Sequence, residues 1–170
     1  MGLFKNKIPT AKKATEVGNK ILNLSQELKS IIESQDCVDF EKVNITGLEY
    51  ALFMYDLEFY KQVMTIKYSN FYIETIIRTI FINFEENIRK SGNNIQKDYM
   101  LNIYLKLSDS ISKIYNIAKN QGVDEFVAVA MYLCSDECLM TEYEIEINEN
   151  MIVEIAEHFR KIINLPETEI

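Results

Sequence analysis

Between Ile45 and Lys90 the chain contains one glycine, Gly47, and no proline. More than half of its nine Phe and ten Tyr residues fall in this stretch, from Tyr50 to Phe84. No other segment can bury comparable area, because aromatic side chains carry the largest apolar surface. Whatever fold forms has to be built around it.

The pattern reads as two helices, about 46–67 and 70–91, separated at Ser69-Asn70 with Asn70 as N-cap. In the first, Leu48, Leu52, Tyr55, Phe59, Val63 and Ile66 recur at helical spacing. A second row, Phe53, Leu57, Tyr60 and Met64, nearly merges with it. Glu58, Lys61, Gln62 and Thr65 are left for the opposite side. So broad an apolar face touches neighbours on two sides, as in a central helix or one shared with a partner chain.

The second helix turns Ile73, Ile76, Ile77, Ile80, Phe84 and Ile88 one way. Phe71 and Ile82 fall on its other side near Arg78, so one buried face does not account for it. Glu74 and Arg78 are expected to pair at i,i+4, and their charges argue against a membrane span. Ser91-Gly92-Asn93 ends this helix.

Upstream, Ala14, Val17, Ile21, Leu24, Leu28 and Ile31 form a narrow seam on a helix over 11–34, weakened at Gly18. The seam can pack inside the chain or against a second copy. Downstream, a helix over 94–120 turns Met100, Ile103, Leu107, Ile111, Ile114 and Ala118 inward. A helix over 123–139 follows, apolar all round from Phe126 to Cys134 and expected to be the most buried short segment. The last helix, 149–164, buries Ile152, Ile155, Phe159, Ile162 and Ile163. Val38 and Phe40 alternate with acids, as do Tyr143, Ile145 and Ile147. A short two-stranded pairing of 38–43 with 142–147 is therefore conceivable, although Thr141 and Glu144 also fit a capping box.

The expected architecture is all-α: one domain over 10–165, a bundle of about six helices. Residues 1–9 form a basic lead-in and 166–170 a tail. Up to Lys20 the chain carries five Lys against Glu16 alone, which offers weak scope for contact with an anionic membrane surface. The net charge of −8 argues against nucleic-acid binding and suits a basic protein partner. Three cysteines and no hydrophobic N-terminal segment point to a reduced cytoplasmic protein.

Chemistry is constrained chiefly by His158, the only histidine. Any Ser-His-Asp or Cys-His centre has to use it, and zinc sites with two His are impossible in one chain. Glu154, one turn earlier, is its expected hydrogen-bond partner, with the histidine at the edge of the core. Cys37, Cys134 and Cys138 with His158 make only a poorly spaced zinc set. The acid pairs Asp136-Glu137 and Glu85-Glu86 read as solvated. No phosphate-cradling loop or hydrolase motif occurs, and no catalytic residue, metal or cofactor is assigned.

These features point to a non-enzymatic protein-interaction module: an adaptor, inhibitor or immunity-type binder that also has scope to form a homodimer. Phe53, Tyr60, Phe71, Arg78 and Ile82, with the seam residues Val17, Ile21, Leu24 and Leu28, are the candidate contacts. The alternative is a helical small-molecule-binding protein or enzyme with a pocket around Arg78 and neighbouring tyrosines.

Overall fold

The computed structural model describes residues 8–35, 45–135 and 148–170. Six α-helices lie among them: α1 (Ala11–Glu33), α2 (Ile45–Met64), α3 (Asn70–Lys90), α4 (Tyr99–Asn120), α5 (Glu125–Leu133) and α6 (Glu149–Ile163). A 3-10 turn over Glu167–Glu169 closes the chain. The considered 38–43/142–147 pairing lies outside the described residues.

Helix α2 is the centre of the bundle. Every residue from Ala51 to Tyr60 is buried, and α1, α4 and α6 all pack against it. This follows from the two merging apolar rows, since a helix without a polar face has to be covered all round. Phe59 stacks on Phe159 of α6 at 4.3 Å between ring centroids, and Tyr55 stacks on the same ring at 6.2 Å. Glu58, expected on a polar side, is buried too.

The seam of α1 is satisfied within the chain. Val17, Ile21 and Leu28 are buried, Leu24 is half-buried, and α1 packs on α2, α3 and α6. Thr10 caps this helix by accepting from the Lys13 N–H.

Several boundaries shift from their expected places. Helix α2 ends at Met64, and the α3 cap is Ser69, whose hydroxyl accepts from the Tyr72 N–H at 3.3 Å, with Asn70 already helical. Gly92 ends α3 with φ +89°, a conformation open to glycine without strain. Helix α4 begins at Tyr99, five residues later than the expected start at 94 and one residue before the first apolar position of its periodic face, Met100. Its N-cap, Asp98, sits at φ 59° and makes no side-chain cap. Glu85 of α3 does that work: its carboxylate accepts from the Asp98 N–H at 2.9 Å and the Met100 N–H at 3.1 Å. A negative group at a helix N-terminus satisfies orphan donors and meets the positive end of the dipole. Glu85, expected to be solvated beside Glu86, is consequently buried.

Helix α5 is capped by Asp124 and spans only Glu125–Leu133. Its burial is one-sided: Val129, Ala130 and Leu133 are covered, while Met131 is exposed. The central α2 is the more buried segment. At the C-terminus, Ile170 is buried and Tyr60 donates to the Glu169 carbonyl at 3.0 Å, so the last residues dock on the bundle.

Two stability outcomes follow. Phe159→Ala removes a fully buried ring stacked on Phe59 and is expected to cost about 3–5 kcal/mol in urea unfolding. Gly18→Ala is expected to stabilise by about 0.5–1 kcal/mol. The added methyl would meet only the Ile80 side chain, at an ordinary contact distance of 3.6 Å.

Candidate functional site

Two polar features stand out from the apolar packing. One is buried beneath α6, and the other opens between α2, α3 and α4.

The first is the pair Asp56–His158. Residue 158 falls on the inner side of α6, among Ile155, Phe159 and Ile162, and that side faces α2. His158 therefore turns away from Glu154. Its Nε2 lies 2.9 and 3.1 Å from the two carboxylate oxygens of Asp56. Glu154 instead lies 3.5 Å from the Gln35 amide nitrogen. Both members of the pair are buried, with side-chain exposures of 2% for His158 and 0% for Asp56. Burial pushes the Asp56 carboxyl above its ordinary value, and the hydrogen bond and charge of His158 offset part of that rise. The ring also lines a shallow α1–α6 groove of about 410 Å3 with Glu27, Ile31, Val153 and Glu157. An Asp–His pair fixes the orientation of an imidazole and can hold a proton. Among the described residues no hydroxyl or thiol is hydrogen-bonded to this ring.

The second feature begins at Glu58. Its carboxylate receives Lys61 Nζ at 2.7 and 2.8 Å and the Tyr104 hydroxyl at 2.9 Å. Lys61 also donates to Ser108 Oγ at 3.0 Å. Burial first, and the nearby Glu58 charge second, push the Tyr104 hydroxyl well above its ordinary value, so it stays a donor. This network forms one side of a groove of about 390 Å3. Ile73, Ile77, Leu101 and Leu105 supply apolar walls, and Thr65, Asn70, Glu74 and Arg78 also line it. Arg78 and Glu74 are both exposed and, among the described residues, do not pair with each other. The expected i,i+4 bridge is absent, and the guanidinium is left at the groove.

The remaining contact candidates divide by burial. Phe53 and Tyr60 are core side chains, as are Val17, Ile21 and Leu28. Burial pushes the Tyr60 hydroxyl up to about 12. Phe71 is 57% exposed and Ile82 45% exposed. Cys134 is buried, whereas Cys37 and Cys138 lie outside the described residues, as do residues 1–7. No group of three His, Cys, Asp or Glu that could hold a metal occurs among the described residues. Nor is any helix among them long and apolar enough to cross a membrane.

Sequence reasoning missed the Asp56–His158 pair, although a signal for it was present. Asp56 interrupts an otherwise apolar run, and a carboxylate carried into a core needs a partner. The single histidine was the one such partner still without an assigned place in the core. Comparisons with protein-family models, with curated proteins and with solved structures returned no match.

The raised value of Asp56 makes a prediction about pH. The folded state holds this proton more firmly than the unfolded chain. Its contribution is fully present below the ordinary value of 3.8 and is lost as pH rises through the folded-state value. The stability of the wild type relative to Asp56→Asn should therefore fall as pH rises from 3.8 upward. Urea unfolding of both proteins across a pH series measures the gap, and a gap that grows in the wild type's favour contradicts it.

Proposed function

We propose that this chain is a non-enzymatic protein-interaction module that binds through the outer face of α3. One observation carries the reading. Helix α3 already buries a complete inner face of Ile73, Ile76, Ile77, Ile80 and Phe81, yet it also presents Phe71 and Ile82 to solvent. Arg78 lies between them on the same side. Ile66, in the turn that precedes the helix, is also exposed, at 65%. Two large apolar side chains with a cation between them resemble the composition of binding hot spots, where aromatic residues and Arg are enriched. Scattered exposed apolar residues need no explanation; the reading rests on two large ones that share one helix face with Arg78.

The acid excess of the chain supports a partner with basic groups around an apolar centre, because opposite charge speeds encounter and suppresses wrong partners. A second copy of the chain is the other occupant this strip could take. A cytoplasmic location accords with the same reading.

The double variant Phe71→Ser/Ile82→Ser tests it. Both sites are exposed, so each change should shift stability by no more than about 0.5 kcal/mol. A protein retained by the wild-type chain from its host and lost by the folded variant is the expected outcome. A wild-type mass of two chains in sedimentation equilibrium that falls to one in the variant would identify a homodimer. Identical capture and identical mass for both proteins would overturn the proposal.

A further inference from the structure

From the groove between α2, α3 and α4 we infer a second site: it binds a small organic carboxylate with an apolar body. Its walls and its charges come from different helices. Ile73 and Ile77 of α3 face Leu101 and Leu105 of α4, and Leu105 is 49% exposed where the groove opens. The volume of about 390 Å3 lies within the range of small-molecule pockets, roughly 300–1,000 Å3. Apolar walls with a few convergent polar groups are the usual form of such pockets.

The charge on the groove selects the ligand class. Lys61 and Arg78 both line it. Of the acids nearby, Glu58 is buried and already receives Lys61 and the Tyr104 hydroxyl. Lys61 Nζ already meets both Glu58 oxygens, at 2.7 and 2.8 Å, and Ser108 Oγ at 3.0 Å, so it contributes charge rather than a free donor. Arg78 makes no ion pair among the described residues, and its planar fork suits a bidentate oxyanion, of which a carboxylate is the one commonly carried on an apolar body. Glu74 at the rim is the one group that opposes an anion. It is exposed, so its repulsion is screened by solvent. The site therefore takes one negative charge on Arg78, with the charge of Lys61 in the same groove, and lays an apolar chain or ring along Leu101 and Leu105. Arg78 belongs to both surfaces, but Phe71 and Ile82 do not line this groove, so Phe71→Ser/Ile82→Ser tests the interaction face without removing a groove residue.

Octanoate and octan-1-ol, which share a chain and differ in charge, are the probes. Each is titrated into the full-length protein while backbone and methyl NMR signals are followed. Octanoate is expected to shift Ile73, Ile77, Leu101 and Leu105 saturably and to bind about tenfold more tightly than the alcohol, as a charged hydrogen-bonded contact warrants. Arg78→Gln, a change at an exposed position, should abolish that preference while leaving the alcohol's affinity unchanged. Glu74→Gln should strengthen octanoate binding. The inference is overturned if octanoate leaves the groove signals unmoved into the millimolar range. It is equally overturned if acid and alcohol bind alike, or if Arg78→Gln keeps the preference.

Discussion

Covering α2 is the constraint on which the rest of the structure depends. From Ala51 to Tyr60 no residue reaches solvent to a significant degree, so neighbours have to close around the helix on every side. Helix α1 brings its narrow seam, α6 its stacked Phe159 and α4 its Tyr104. The C-terminal residues add the last cover, with Ile170 in the core and Tyr60 hydrogen-bonded to the Glu169 carbonyl. A central helix of this kind suits a chain whose aromatic residues are concentrated in one stretch, since rings bury the most area per residue.

The same enclosure makes the polar groups of the core demanding. Asp56, Glu58 and Glu85 are all buried, and an unpartnered buried carboxylate is costly. Each finds its partner on another helix. Asp56 meets His158 across 102 residues of sequence, Glu58 meets Tyr104 across 46, and Glu85 caps the start of α4. These contacts are directional. A slip of one helix along another would leave a charge in the core without a partner, whereas apolar contacts tolerate small slips. The acids thus tie α2 to α6, α2 to α4 and α3 to α4 in one register.

Helix α3 has a different relation to the bundle. Its inner face belongs to the core, its flank lines a groove against α4, and its outer face carries Phe71, Arg78 and Ile82 into solvent. Structural and recognition roles therefore lie side by side on one helix. A ligand in the groove and a partner on the outer face would share Arg78 and otherwise use neighbouring side chains.

Periodicity alone was enough to predict a helical bundle, to mark the helix over 46–67 as one with neighbours on two sides, and to show that Phe71 and Ile82 lay off the buried face of their helix. Those properties are local: they depend on a spacing of three and four residues, which the chain displays whatever surrounds it. Three things were settled only by tertiary packing. Phe53 and Tyr60 went into the core because α2 has neighbours on every side. Glu85 became the cap of α4 because Asp98 makes none. His158 turned from the nearby Glu154 to the distant Asp56 because the inner face of α6 lies on α2. Helical spacing says which residues share a face; which carboxylate that face will meet depends on how whole helices dock, and one-dimensional order does not contain that distance.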